Sequence, residues 1–467
     1  MLWDFPKKKS YRLLLQFYNR ITLSHGCDRV EKLCKMLFWK KGKRMKKKNV
    51  YVAILSVLTA GTLMLQTVGC GVGEDDVQAQ NLMKDVKAQK ASGKEADENF
   101  ENSYLDFSLN LFQNSMKESE EENLLISPLS VQLALAMTAN GADGKTKQQM
   151  EAVLGGWMTV EELNRYLYSY RERKNNSQLK IANSIWFQDD AEKIQIEESF
   201  LETNASYYDA GVYEAPFDQQ TVTDINNWIS KNTDGMIENM LEQLDEDAVM
   251  CLVNALAFEG EWKEVYTTDQ ILEGTFLNEA GIEQKVSMMH SSENYYLEEE
   301  NAIGFIKDYK DGKYSFAALL PKEGMSLEAY VNTLDSESLQ KTLKEVQTKE
   351  VYAAILKFSY EYSFSLENIL KGMGMEDAFS AEEADFSKLG TSSQGNIYIG
   401  EVLHKTFITV DELGTKAGAA TVVEMYSEGA MIEEPKVVEL NRPFFYMILD
   451  NETGLPVFMG TVTDLAE

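Results

Sequence analysis

The chain has 467 residues, a length that suits one large domain or two to three smaller ones, and 44% of them are apolar, which excludes a disordered chain. Its formal charge is −30, with 75 acidic and 45 basic residues, and this excludes a general basic field for nucleic acid. The charge is also segregated: residues 1–48 hold fifteen basic and three acidic side chains, residues 49–69 hold none, and the rest carries the whole acidic excess.

A basic head, a neutral apolar stretch and an acidic body together predict an export signal on a soluble domain. Lys46, Lys47 and Lys48 form a positive n-region, and 50–65 is an apolar h-region. That stretch is short for a spanning helix, which needs roughly 20 apolar residues. It ends at Thr67-Val68-Gly69-Cys70, which resembles a lipobox with Thr67 at the position Leu usually holds. Cys70 is therefore the expected lipidation site, with the mature chain anchored on a bacterial cell surface; secretion after ordinary cleavage is the alternative. Residues 45–69 are read as the signal peptide and 1–44 as an upstream extension outside the native protein, or else a cytoplasmic one. Cys27 and Cys34 precede the signal, so processing leaves only Cys251 in the body and no internal disulfide. Its apolar setting suits a small buried residue rather than a nucleophile.

Residues 70–98 are polar and read as a tether, with one large mixed domain over 99–467. Phe100, Tyr104, Phe107 and Leu111 recur at helical spacing, although the alternation of Leu105, Phe107, Leu109 and Leu111 also suits a strand. Ser127-Pro128 opens a clearer helix, with Ser127 as cap, Pro128 at its first position, and Leu129, Leu133 and Met137 on one face. Trp228 falls in a further helix over 224–230. Runs at 251–258, 315–320, 351–358 and 445–449 read as strands. The domain is thus α+β, helix-rich early and strand-rich late.

Catalytic chemistry finds little material. Three histidines (His25, His290 and His404) are too few for a zinc site or a His-based triad, and no cofactor is expected. Gly141-Ala-Asp-Gly144-Lys145-Thr146 has the end of a phosphate loop, but Ala139 stands where its first glycine belongs. Acidic pairs such as those at 298–300 read as solvated faces, so a glycosidase has no anchor.

One segment stands apart. The 24 residues from Glu412 to Pro435 have no Pro before Pro435, and their alternate members Thr415, Ala417, Ala419, Thr421, Val423 and Met425 form one small-then-apolar set. A structureless loop this long is functional or disordered. The pattern suits a loop able to become a central strand; it equally suits an ordinary strand with a turn near Ser427-Glu428-Gly429.

The flanks of this segment resemble the serpin superfamily of protease inhibitors. The matching runs, in order, are Asn123-Leu-Leu-Ile-Ser127-Pro128-Leu-Ser130, Asn226-Asn-Trp228 with Thr233-Asp-Gly235, and Asn254-Ala-Leu-Ala-Phe258-Glu-Gly260-Glu-Trp262. They continue with Ala384-Asp-Phe386-Ser387, His404-Lys405, Asp411-Glu412-Leu-Gly414-Thr415, Asn441-Arg-Pro443-Phe444 and Phe458-Met-Gly460. Each is weak alone; their order over some 365 residues is specific. The resemblance implies a metastable serpin fold with three β-sheets, about nine helices and an exposed reactive loop. It implies no enzyme activity. A serine protease cleaves the loop, is trapped as an acyl-enzyme, and is carried away as the loop enters the main sheet. By the same resemblance Glu412, Gly414, Thr415, Ala417, Gly418, Ala419 and Ala420 form the hinge, and Glu428-Gly429 is the reactive bond. Ser127, Ser130, Asn254 and His404 govern sheet opening, and Trp262 marks where insertion begins. Lys416 departs from the acidic residue usual in the family. The implied partner is an extracellular elastase-like, glutamyl-type or chymotrypsin-like serine protease; a non-inhibitory serpin that binds a ligand or partner is the alternative. The chain is expected to be monomeric, with no nucleic acid and no membrane contact beyond the lipid.

Overall fold

A computed structural model describes residues 77–119, 123–174, 178–189, 194–237, 241–244, 248–393, 395–415 and 434–465. In chain order the first elements are β1 (Gln80–Asn81), α1 (Glu98–Glu118), β2 (Leu125–Ile126), α2 (Pro128–Ala139), α3 (Gly144–Gly155), α4 (Val160–Lys174), β3 (Leu179–Gln188), β4 (Ile194–Ile196), α5 (Glu198–Tyr207), β5 (Gly211–Ala215) and α6 (Gln219–Asn232). Strands then dominate: β6 (Met250–Phe258), β7 (Gly260–Glu261), β8 (Ile271–Leu277), β9 (Glu283–Glu298), β10 (Ala302–Asp308) and β11 (Tyr314–Pro321). After α7 (Leu327–Val331) and α8 (Ser336–Lys344) come β12 (Gln347–Leu356), β13 (Phe358–Ser365), α9 (Glu367–Gly372), β14 (Gly390–Ser392), β15 (Glu401–Val410), β16 (Gly414–Thr415), β17 (Lys436–Glu439), β18 (Phe444–Asp450) and β19 (Pro456–Val462).

The strands form three sheets, of eight, nine and two strands. The eight-stranded main sheet runs β1-β5-β3-β6-β15-β16-β7, with β13 on the far side of β15. Its centre is covered on both faces, which explains why every residue of β6 is buried and all but Asn254 are apolar. Alternate residues of that strand serve two cores: Leu252, Leu256 and Phe258 join the main one, while Cys251, Val253 and Ala255 join a smaller one with Trp228 and Ile225 of α6. Cys251 is buried here, and burial pushes its thiol pKa well up, away from nucleophile chemistry.

The first helix settles the ambiguity of its sequence: Asp97 caps it through the Phe100 amide, and Phe100, Tyr104, Phe107 and Leu111 are buried. In α2 Ser127 and Pro128 occupy the cap and first turn as their chemistry predicts. The expected single apolar face is corrected, because every residue of α2 is buried. Its sequence carries no charge over twelve residues, and such a helix belongs inside a fold.

Two further expectations change. The strand expected over 351–358 is two strands in different sheets, β12 and β13, which meet at Lys357. The polar tether is docked from Val77 onward: Gln80–Asn81 pairs antiparallel with β5, and the Gln78 and Ala79 amides both donate to Asp224 Oδ2, at 2.8 and 2.7 Å. The reason is a sheet edge that would otherwise leave its backbone groups unpaired. The Gly141–Thr146 run, in turn, is a packing junction. The Asp143 amide donates to Asp385 O, and Thr146 Oγ1 accepts from the Asp385 amide.

Candidate functional site: the hinge and the centre of the main sheet

The site is built around two strands that are neighbours for only half their length. β6 and β15 pair in parallel from Cys251–Glu401 to Ala255–Lys405. Above that, 256–258 and 406–409 bond only to their outer neighbours, β3 and β13, among the described residues. At the top, β16 sits between β7 and β15, with Gly414 opposite Glu261 and Thr415 opposite both Gly260 and Val410. The result is a slot between two strands, plugged at one end by the first residues of the loop.

The plug is held by many contacts. Asp411 Oδ1 accepts from the Leu413 and Gly414 amides and so turns the chain back on itself. A Cβ on Gly414 would lie 2.0 Å from Gly260 O, so glycine is required there for close backbone approach. Trp262 binds the turn twice, its amide donating to Leu413 O and its indole Nε1 to Asp411 O, both at 2.9 Å. Its ring stacks on Tyr309 with centroids 4.6 Å apart, and the Tyr309 hydroxyl is 2.6 Å from Thr415 Oγ1. Both Trp262 and Thr415 are buried. The Tyr266 amide donates to Glu412 O, and Lys357 Nζ donates to Glu412 Oε2 at 2.5 Å. That bond to Lys357 holds the Glu412 carboxyl below its ordinary pKa.

Under this cluster lies a buried ion pair, Lys307 with Glu293 at 2.7 Å, which the sequence does not disclose among its many acids. Lys307 Nζ also stands 4.5 Å from the Tyr266 ring centroid. Tyr309 is likewise without a sequence signal, since its role depends on pairing across two sheets.

The lower half of the sheet is closed by a buried polar cluster. His404 Nε2 accepts from the Ser127 amide at 3.1 Å, so its proton sits on Nδ1, 3.2 Å from Asn254 Oδ1. Asn254 Nδ2 donates to Ser130 O at 2.6 Å and to Asn183 Oδ1 at 2.5 Å. Ser127 Oγ donates to Val457 O and accepts from the Ser130 amide. The cluster therefore ties β6, β15, β3, α2 and β19 together. Burial pushes the His404 pKa down to about 3, so the ring is neutral in ordinary buffers. Ser130 Oγ is buried with no partner among the described residues, so its amide and carbonyl, rather than its hydroxyl, carry its role.

The structure thus gathers the expected residues into two groups: Glu412, Gly414, Thr415 and Trp262 at the top, and Ser127, Ser130, Asn254 and His404 below. Ala417, Gly418, Ala419, Ala420, Glu428, Gly429 and Cys70 lie outside the described residues.

Comparison with known proteins agrees with this architecture. A family profile described as "Serpin (serine protease inhibitor)" matches residues 102–465. An uncharacterized serpin-like protein of Thermococcus kodakarensis is 31% identical over 352 residues, covering 72% of this chain and 80% of that one. Human neuroserpin is 26% identical over 380 residues, covering 78% and 91%. The crystal structure of the thermophilic serpin tengpin in its native state superposes with a TM-score of 0.79 at 49% identity, covering 83% of this chain and all of that one. Its latent state gives a TM-score of 0.70 at 47% identity, covering 80% of this chain and all of that one. The slot, the plug and the profile lead to one conclusion: the chain belongs to the serpin family, a family not of enzymes but one with many serine protease inhibitors among its members.

Proposed function

We propose that this serpin inhibits an extracellular serine protease by offering its loop as substrate and then inserting the cleaved loop into the main sheet. The observation that carries the proposal is the slot between 256–258 and 406–409 with Gly414–Thr415 already seated at its top. β16 runs antiparallel to β15, and β6 runs parallel to β15. A strand continuing downward from Thr415 would therefore replace one parallel pairing by two antiparallel ones, the better ladder on each side.

Magnitudes favour the step. About a dozen new ladder bonds at roughly 1 kcal/mol net each would release on the order of 10 kcal/mol. That rivals the stability of a whole domain, so the uninserted state is a kinetic trap. The loop from Thr415 to Glu428, extended at about 3.3 Å per residue, spans on the order of 43 Å, enough to carry an attached enzyme across the domain.

In this reading the protease serine attacks the Glu428 carbonyl. The peptide bond to Gly429 breaks, the new amine leaves on the C-terminal fragment, and an ester joins the protease to Glu428. Insertion then outruns hydrolysis of that ester. Glu428 suits a glutamyl-type protease, Tyr426 a chymotrypsin-like one, and Ala430, Met431 and Ile432 an elastase-like one. Cys70 as lipid anchor would place the inhibitor on the cell surface.

The test is incubation of the mature chain with each protease class, followed by denaturing gels and mass spectrometry. A band at the summed mass that survives denaturant is expected, and the released C-terminal peptide identifies the bond. Cleavage that leaves every protease fully active would overturn the proposal.

A further inference from the structure

Away from the hinge, α1, α3 and the turn after α9 enclose a cleft of about 680 Å3. At its rim stands Trp157, 74% exposed. Large aromatic rings seldom stand so far into solvent, and this one sits at φ 76, directly after Gly156 at φ 56. A bulky side chain in the left-handed region costs on the order of 1–3 kcal/mol, and such outliers concentrate at binding sites.

The wall opposite supplies a row of polar groups. Ser103, Asp106, Asn110 and Asn114 follow at intervals of three and four along one side of α1 and line the cleft. Gln148 of α3 lines it from the other side. The side chains of Ser103, Asp106 and Gln148 bond to no protein group among the described residues, and Asn110 and Asn114 each spend one amide hydrogen on the helix carbonyl four residues back, leaving the oxygen. Lys145, the cation on the wall, is held by Asp377 at 2.9 Å. At Gly372 and Gly374 the lining has no side chain at all, which leaves room for a flat ligand.

We infer that this cleft is a binding site for a neutral carbohydrate. A pyranose has an apolar C–H face, which stacks on an indole, and hydroxyls around its edge, which need acceptors and donors in a ring about it. Trp157 supplies the platform; Asp106 and the amide row supply the edge contacts. The apolar side chains that also line the cleft, Phe107, Val153 and Met373, extend the floor on which such an apolar face can lie, and an anion would meet Asp106 rather than a free cation. The site is separate from the hinge, so it would attach the inhibitor to glycan without touching loop insertion.

The experiment is saturation-transfer NMR on the full chain with N-acetylglucosamine, methyl α-mannopyranoside, lactose and maltose, each at about 10 mM, a range that reveals millimolar affinity. Transfer to the C–H protons of at least one of these sugars is expected. Trp157→Gly should abolish it. Glycine suits φ 76, so this variant folds with an unchanged or higher thermal midpoint. Asp106→Asn, which keeps the shape and removes the charged acceptor, should weaken binding by about tenfold. No transfer to any of the four sugars, or equal transfer in wild type and Trp157→Gly, would overturn the inference. Neither result bears on protease trapping.

Discussion

The two halves of the seam between β6 and β15 are made of the same two strands and behave as opposites. In the lower half the strands are paired, and His404, Asn254, Ser127 and Asn183 satisfy one another in a dry interior. In the upper half the strands part, and at the top two residues of the loop stand between β15 and β7. A buried polar network is costly to break because each group left behind is unsatisfied. A vacant strand position is costly to keep because its ladder bonds are unmade. Under the proposed mechanism the lower half would act as a lock and the upper half as a primed slot.

The largest effect should come from the plug. Gly414→Val puts a side chain onto Gly260 O, so β16 must leave its seat or push β7 aside. Overpacking of about 1–3 kcal/mol at the start of insertion would slow that step by roughly 5- to 150-fold. Hydrolysis of the ester would then win. The measurement is the ratio of inhibitor cleaved to protease trapped, expected to rise by about tenfold or more. An unchanged ratio would mean that the seated hinge does not gate insertion.

Next comes the lock. Asn254→Ala strips partners from the His404 Nδ1 proton, Ser130 O and Asn183 Oδ1 at once. Each buried group left without a partner costs about 1–3 kcal/mol, so the total is on the order of 3 kcal/mol or more. The uncleaved protein should lose its resistance to urea by that much, while Gly414→Val, whose two-residue plug can leave its seat, should lose less. Equal losses would erase the distinction between lock and slot.

The lock also makes a pH prediction. His404 is held near pKa 3 when folded, well below its ordinary value near 6.5. The unfolded chain therefore binds the extra proton between those values, and stability falls as pH falls through that window. The contribution is complete above about pH 6.5. Moving from pH 6.5 to 5 should remove about 2 kcal/mol, read as a lower urea midpoint. His404→Asn should flatten that part of the curve, leaving the slope of the carboxylates at lower pH.

How far this was readable without coordinates depends on the reach of each signal. The apolar residues of β6 on either side of Asn254, the Ser127-Pro128 cap and the Asp411–Thr415 turn are local patterns, and the sequence displays them. The family resemblance joins His404 to Ser127 across 277 positions, which periodicity alone never could. What stayed hidden depends on partners remote in sequence and common in type. Lys307 and Glu293 are one basic and one acidic residue among many, and only their shared burial marks them. Tyr309 reads as one more core aromatic until Thr415 is placed against it. Val77–Asn81 reads as linker because its docking rests on backbone groups, which every sequence possesses, and on only two small apolar side chains, Val77 and Ala79.

The smallest effect concerns the ion pair at the edge of the slot. Lys357 and Glu412 lie 2.5 Å apart but are about one-third exposed, at 32% and 37%. Pairs in such positions contribute roughly 0–1 kcal/mol and are screened by salt. Lys357 comes directly before β13 and Glu412 lies two residues after the end of β15, so the bond ties the turn to the strand pair and not to the slot. Lys357→Met should therefore leave urea resistance within about 1 kcal/mol of wild type. It should loosen the hinge slightly, and the change should fade in high salt. Because Lys357 holds the Glu412 carboxyl below its ordinary pKa, the pair's contribution is present above that ordinary value and is lost as pH falls through the lowered one. The difference between variant and wild type should thus vanish in acid, where the His404 effect is already under way. A Lys357→Met loss as large as that of Asn254→Ala would place the lock at the top of the sheet and reverse the assignment of the two halves.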